Sequence, residues 1–302
     1  MIKVNILWNI QETGGGGNQF LRTLKRYFIE KDIYEEDPQK ADVVLVNSKD
    51  RLEEATLIKK SVGNKIVHRI DGIFSLYRGE HEGYNDNKVY DFARNYADGI
   101  IFQSQWSREV SKKNGMSNHP KETVILNCAD NKYFKNEPDK RTKRDKIRLV
   151  TSSWSSNIKK GFDIYRWLDN NLDFCKFEYL FIGRSPCDFN NIKKMGILSS
   201  EKVTDILQDS DIFITATRDD TCSNSLIEAL SCGLPAVVLN SGGSSEILKE
   251  GGGLFESEGD VLEKIDMVKS NLDMYRNRIE INNIGVVGKL YCDFMEELKC
   301  TK

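Results

Sequence analysis

Short apolar runs alternate with amphipathic stretches along the chain, the pattern of buried strands interleaved with helices. In the first half the runs fall at residues 2–9, 32–34, 41–47, 65–70, 99–103 and 122–127. Helical spacing occupies 18–31, 51–60, 89–96 and 107–114 between them. The run ADVVLVN at 41–47 has no polar alternation, which predicts a strand covered on both faces. Residues 74–88, FSLYRGEHEGYNDNK, are polar and irregular and are expected to form a loop over a site. Residues 131–146 are almost all polar or charged and predict a domain linker. Strand patterning then restarts at 147–151, 179–182, 212–216, 236–239 and the strand-like GGLF at 252–255. Helices are predicted at 163–172, 200–208, 223–231 and 260–270, with a further helical stretch through 278. In the tail, Val287, Leu290, Tyr291, Phe294 and Leu298 recur at helical spacing and need a surface to pack on.

These elements imply an α/β chain of two doubly wound parallel-sheet domains, 1–140 and 141–283. The second core is complete by about residue 283, so the helix at about 284–302 is expected to return to the first domain. With 302 residues, 39% of them hydrophobic, the chain can bury two cores of about 150 residues each. A net charge of -2, with neither sign gathered in a long block, disfavours nucleic acid as a partner. Seven cysteines are scattered without a C-x-x-C pair, and His68, His81 and His119 do not cluster. That usage points to a reduced, intracellular protein and away from a zinc site, so no metal is expected. The opening MIKVNILWNI is too short for a membrane span and meets a glycine cluster where a signal peptide would have a longer apolar run. The expected location is the cytoplasm, with peripheral association at the inner face of a membrane left open, as is the oligomeric state.

Parallel sheets bind ligands beyond the carboxyl ends of their strands, so residues at strand ends are the candidates. Gly15, Gly16 and Gly17, in a run of four glycines that begins at Gly14, stand between a strand and a helix. Missing side chains there let backbone N–H groups face a phosphate. The run is not a dinucleotide fingerprint, because Phe20 stands where that pattern wants another glycine; a flexible turn without a ligand is the plainer reading. Arg69 and Asp71 flank the end of strand 65–70, either as ligand contacts or as a pair at the sheet rim. Lys160 beside Gly161, and Arg184 after Gly183, are candidate anion partners. The densest stretch is 211–248: a strand, an acidic turn through Asp219 and Asp220, a helix opening at Ser223, Asn224 and Ser225, and a second strand. Glu228 lies one helical turn beyond Asn224 and points the same way. Asp209 and Asp211 form a D-S-D at the start of a buried strand, which reads as a cap and rim feature.

The stretch resembles the retaining glycosyltransferases of the GT-B class, family 4. The hallmark there is an acidic residue, seven intervening residues and a glutamate, followed by a G-x-P turn. Here Asp220, TCSNSLI and Glu228 are followed by Gly233, Leu234 and Pro235. Gly242, Gly243 and Glu246 match a later GG-x-x-E turn, Asn127 to Asp130 match the family's N-G-V-D, and Lys160-Gly161 matches its lysine-glycine pair. Three positions depart from the pattern. Asp220 stands where glutamate is commoner, Ser155 where many relatives carry a basic residue, and Asp71 where many carry a histidine.

The resemblance implies a GT-B fold of two Rossmann-like domains facing a cleft, with acceptor-side chemistry on the first domain and the nucleotide-sugar donor on the second. It implies transfer of a sugar from a UDP- or GDP-linked donor to a hydroxyl of a glycan or lipid-linked glycan, with retention and without a metal. Lys160, helped by Arg184, the start of the Ser223 helix and the glycine loop would surround the diphosphate. Glu228 would hold ribose hydroxyls, Asp220 hydroxyls of the transferred sugar, and Asp71 with Arg69 would face the acceptor or the sugar. A non-catalytic sugar-nucleotide binding protein and a sugar-nucleotide epimerase on the same scaffold are the alternatives.

Overall fold

The computed structural model describes residues 2–9 and 15–300. The chain divides into two compact units, residues 1–127 with 282–302, and residues 128–281. The first unit runs β1 (Val4–Leu7), α1 (Gly16–Glu30), β2 (Val43–Asn47), α2 (Leu52–Val62), β3 (Lys65–Ile70), α3 (Phe74–Arg78), α4 (Gly83–Tyr96), β4 (Gly99–Phe102), α5 (Gln105–Lys113) and β5 (Glu122–Val124). Its five strands are hydrogen-bonded in sequence order, and all are parallel. Residues 32–34, expected as a strand, reach β1 only through an isolated parallel bridge between Val4 and Tyr34. That bridge lies on the edge of β1 away from β2, so the chain reverses direction across the sheet between β1 and β2.

The second unit runs β6 (Ile147–Ser153), α6 (Phe162–Asn171), β7 (Phe177–Gly183), β8 (Lys193–Gly196), α7 (Ser200–Gln208), β9 (Ile212–Thr215), α8 (Asn224–Ser231), β10 (Ala236–Leu239), α9 (Ser244–Leu248), β11 (Gly252–Phe255), α10 (Val261–Lys269) and α11 (Leu272–Asn277). Its parallel sheet has the order β11-β10-β9-β6-β7-β8. The chain therefore builds outward from β6 to β8, then returns to the other side of β6 and builds outward again. The crevice between β6 and β9 is the topological switch point of this unit, and the loops that leave those two strands flank it.

Strands β2, β9 and β10 are buried along their whole length, which is why their sequences read as unbroken apolar runs. One face of the second sheet is sealed by Phe162, Tyr165 and Phe181, whose rings meet at centroid distances of 5.4–6.2 Å. Residues 131–146 do not trail free of the second unit. Phe134 is buried, the Lys135 carbonyl accepts from Gln208 at 2.7 Å, and Arg144 donates to Asp209 at 2.8 Å. The last helix, α12 (Ile284–Cys300), lies against α1 and β3 in the first unit, with the Tyr291 and Phe20 rings 6.0 Å apart.

Three local expectations change. Residues 74–88 are helical, not a loop: α3, a 3-10 turn at Glu80–Glu82 and the first turns of α4 cover them. The cause is Asp86, only 2% exposed, whose carboxylate accepts from the backbone N–H groups of Phe74 and Ser75 at 2.6 and 2.9 Å. A charged side chain thereby caps α3 from inside α4. Residues 193–196, KKMG, form an edge strand that apolar patterning misses, because an edge strand needs little burial. Asp209 and Asp211 hold Arg144 and Arg148 at the amino-terminal end of β9, as expected of a rim feature.

Candidate functional site

At the switch point of the second unit, the loop after β6 is knit by its own polar side chains. Ser153 Oγ donates to the Ser155 carbonyl at 2.8 Å, Asn157 N–H donates to Ser155 Oγ at 3.1 Å, and Lys159 N–H donates to Asn157 Oδ1 at 2.8 Å. Ser155, where a basic residue was expected on family grounds, is thus a turn-forming residue. Gly161 ends the loop at φ +78°, where an added Cβ would lie 2.2 Å from the Ala216 carbonyl oxygen. Only glycine lets this loop press against the end of β9.

The loop after β9 is held as firmly. Tyr165 Oη accepts from the Ala216 N–H at 3.0 Å, and Arg218 N–H donates to the Lys159 carbonyl at 2.7 Å. Asp219 adopts a left-handed conformation (φ +55°). Its carboxylate pairs with Lys159 at 2.5 Å, and its N–H donates to Ser241 Oγ at 3.0 Å. The Gly243 N–H donates to the Asp220 carbonyl at 2.9 Å, and Gly242 (φ +65°) lies so close that a Cβ would sit 2.3 Å from that oxygen. The glycine pair after β10 therefore clamps the backbone of Asp220. With both loops fixed, Lys160 Nζ meets Asp220 Oδ2 at 3.1 Å, each side chain being 19% exposed.

Beyond Asp220 the chain enters α8. Ser223 is its N-cap but makes no capping bond to the helix; its Oγ lies 3.2 Å from that of Ser225. The first N–H groups of α8 are therefore not capped by that side chain, an arrangement that suits an anion. Glu228, one turn further on, accepts from the Cys232 N–H through its backbone carbonyl at 3.1 Å, while its carboxylate makes no hydrogen bond to the described residues. Burial pushes its carboxyl up to about 8. Arg184, exposed after β7, lies over the Trp154 ring at 5.3 Å, at the same carboxyl edge of the sheet. Asp220, Lys160, Ser223, Asn224, Ser225 and Arg184 all belong to loops or a helix start at this one edge.

In the first unit the glycine run opens α1: Gly15 is the N-cap, while Gly16 and Gly17 are its first two residues. Gly14 lies outside the described residues. An added Cβ at Gly17 would meet nothing within 4 Å, so no close backbone approach within the chain requires glycine there. Asp71 follows β3 with its side chain 47% exposed. Arg69 pairs with Asp71 Oδ1 at 3.5 Å, the rim pairing that was one of its two expected readings. It is fully buried, stacks on Phe20 at 4.9 Å, and donates to Asn47 at 2.5 Å and Asn127 at 2.7 Å. Strand alternation turned its side chain into the sheet edge, and the same alternation sent His68 to the other face. His68 is buried with Nε2 2.7 Å from the Ser48 carbonyl, and burial pushes its pKa down to about 4.

Two groups here escaped the sequence reading. Asp50, just beyond β2, has its carboxyl raised by burial against the opposing charge of Lys49, with Asp71 adding to the rise. Gln103, directly after β4, donates to Asp71 Oδ1 at 2.7 Å. The available signal was position alone, since each follows the carboxyl end of a buried strand. Among the described residues no group of three or more His, Cys, Asp or Glu side chains could hold a metal ion. No helix among them is long and apolar enough to cross a membrane.

Two parallel Rossmann-like units with loops gathered at the carboxyl ends of the strands define the GT-B fold. The same fold is found in Anabaena Alr3699/HepE in complex with UDP-glucose. That structure aligns with a TM-score of 0.77 at 16% identity over 98% of this chain and all of its own. A glycosyltransferase from Rickettsia africae ESF-5 aligns with a TM-score of 0.70 at 14% identity, covering 99% of this chain and 98% of its own. Sucrose-phosphate synthase from Thermosynechococcus elongatus gives 0.71 at 13%, covering 95% and 79%. Residues 176–271, which include Asp220, Glu228 and the Gly242-Gly243 clamp, match the family described as Glycosyl transferases group 1. The chain thus has the GT-B fold, and within it residues 176–271 are similar to the group 1 glycosyltransferases. It is also 25% identical over 232 residues to Uncharacterized protein 356 of Sulfolobus islandicus rod-shaped virus 1. The match takes in 64% of this chain and 65% of that protein's length.

Proposed function

We propose that the protein is a retaining glycosyltransferase that moves a sugar from a nucleotide-diphospho-sugar to a hydroxyl of a glycan acceptor. The observation that carries this reading is the meeting of Lys160 and Asp220 at the switch point, directly before the α8 N-terminus and one element from Glu228. Such a constellation suits a departing diphosphate. The Lys160 ammonium and the first N–H groups of α8 take up the negative charge that grows as the C1–O bond breaks. Arg184 adds a cation at the same edge.

Asp220 holds hydroxyls of the transferred sugar and, through its ion pair, orients Lys160. Glu228 accepts from the ribose hydroxyls. The acceptor oxygen bonds to C1 on the face the phosphate leaves. Retention therefore puts the leaving phosphate oxygen beside the incoming hydroxyl, where it can take the proton. The first unit serves the acceptor side through Asp71. Protein cations and helix N–H groups carry the phosphate charge in this scheme, so no metal is assigned a role. The UDP and UDP-glucose bound to Alr3699/HepE favour a UDP-linked donor. A lipid-linked acceptor would place the protein at the inner face of a membrane, in the cytoplasm.

Thermal shift against UDP-glucose, UDP-galactose, UDP-N-acetylglucosamine and GDP-mannose, followed by nucleotide diphosphate release, tests the reading. Stabilisation by one donor and loss of release in Asp220→Asn are expected. Binding without any release would identify a sugar-nucleotide binding protein, and an isomerised donor would identify an epimerase. Stabilisation by none of the four would count against the donor site itself.

A further inference from the structure

The carboxyl edge of the first sheet carries a continuous belt of buried polar side chains, one from each of four neighbouring strands. Asn47 ends β2, Arg69 lies near the end of β3, Gln103 follows β4 and Asn127 stands beyond β5. None is more than 2% exposed. Burying a guanidinium costs several kcal/mol unless it is paired and hydrogen-bonded. The bonds that Arg69 makes show where its charge is directed.

A guanidinium has only donors, so the amides that meet it must present oxygen. Arg69 Nη1 donates to Asn47 Oδ1 at 2.5 Å, and Nη2 donates to Asn127 Oδ1 at 2.7 Å. With its oxygen committed, Asn127 turns Nδ2 outward and donates to Gln103 Oε1 at 3.0 Å. Gln103 is then committed in turn: its Nε2 donates to Asp71 Oδ1 at 2.7 Å and to the Ile70 and Asp71 carbonyls, both at 3.1 Å. Arg69 Nη1 also forms a direct ion pair with Asp71 Oδ1, at 3.5 Å longer than the Gln103 bond. Each amide in the chain has one allowed orientation, and the last donor in it is aimed at a half-exposed carboxylate.

We infer that Gln103 and Asn127 are positioning residues. They relay the fixed donor set of buried Arg69 to Asp71 and hold its carboxylate in one rotamer at the acceptor edge of the first unit. This deepens the proposed function and rests on it. The belt also accounts for Arg69 lying inside: it orients the site through two amides and touches no substrate. Polarised in one direction, the chain strengthens its own terminal bond. A carboxylate so held can meet a sugar or acceptor hydroxyl without first being ordered, which is the part of catalysis that a misplacement of about 1 Å can lower by roughly 100-fold.

The test is a double-substitution cycle on the full chain, read as nucleotide diphosphate release from the panel donor that stabilises the protein, with water as acceptor. Gln103→Glu keeps the shape and the bond from Asn127 and removes the Nε2 donations to the Asp71 carboxylate and to the Ile70 and Asp71 carbonyls. Gln103→Met removes these and the bond from Asn127. Each is expected to lower kcat on the order of 10- to 100-fold while the donor KM stays within about 3-fold. Asp71→Asn with Gln103→Met is expected to be no slower than Asp71→Asn alone, because Gln103 acts through Asp71. A merely structural role would shift the melting temperature and multiply the two losses. Undiminished kcat in Gln103→Glu, or multiplicative losses in the double variant, would overturn the relay and leave the donor site standing. No release from the wild type would overturn the functional reading and the relay with it.

Discussion

The Glu228 carboxyl on α8 makes no hydrogen bond to the described residues, and burial raises it from 4.5 to about 8. The folded chain therefore keeps a proton that the unfolded chain loses above about 4.5. This contribution to stability is fully present below 4.5 and declines as pH rises through about 8. Each pH unit of that window corresponds to about 1.4 kcal/mol, and partial access to solvent reduces the sum. Glu228→Gln is accordingly expected to be more stable than the wild type by roughly 1–3 kcal/mol at pH 8.5 and by little at pH 4.5; urea titrations at the two pH values measure the gap. In the proposed role, ribose hydroxyls donate to the ionised carboxylate, so nucleotide binding should release a proton near neutral pH. Affinity then rises between pH 7 and 9, and calorimetry in buffers of different ionisation enthalpy detects the proton. Removing one charge-stabilising group from a transition state costs about 100- to 1000-fold in kcat, which is the loss expected for Lys160→Met in nucleotide release.

The elements show which local signals can be trusted. Gly161 reads in the sequence only as a glycine beside a lysine, yet its φ of +78° and the nearby Ala216 carbonyl make it the hinge on which the Lys160 loop turns. Gly161→Ala is expected to lose roughly 2 kcal/mol or more and to shift Lys160 away from Asp220, seen in chemical denaturation and in weaker nucleotide binding. The helical segment 74–88 is the opposite case. Its composition argued for a loop, and a buried carboxylate twelve residues from Phe74 made it helical by supplying donors' partners at the start of α3. Asp86→Ala removes that cap and is expected to cost about 1–2 kcal/mol and to raise amide exchange at Phe74 and Ser75. Strands β3, β10 and β11 and helix α7, by contrast, have the bounds their patterns predict, because mostly buried or amphipathic runs leave little freedom at the ends.

At the scale of the molecule, α12 is the last element of the chain and part of the first unit. It buries Ile284, Val287, Tyr291, Met295 and Leu298, and Gly288 is packed so tightly that a Cβ would lie 2.4 Å from the Tyr27 ring. At about 1.5–3 kcal/mol for each large apolar side chain, this face is worth as much as the net stability of an ordinary domain. Truncation at residue 283 is therefore expected to unfold the first unit while residues 128–281 retain their own core. Limited proteolysis with mass spectrometry would then show cleavage confined to the first 127 residues and a surviving second-unit fragment.

What the sequence determined by itself is what local burial encodes: which segments are strands, which are helices, and that residues 211–248 carry the family's acidic pair around a helix start. Asp220 and Lys160 stood out as candidates because glycines and polar turns follow the strands that present them, and Glu228 stood out through its spacing from Asp220 in the resemblance. Tertiary structure alone decided that β6 lies beside β9, which brings Lys160 to Asp220 across 60 residues of chain. It also decided that Arg69 is buried and that Asn47, Gln103 and Asn127 form one belt. Periodicity reports whether a position faces a core or water. It carries no record of which strand becomes whose neighbour, and a polar belt across four strands exists only once that order is set.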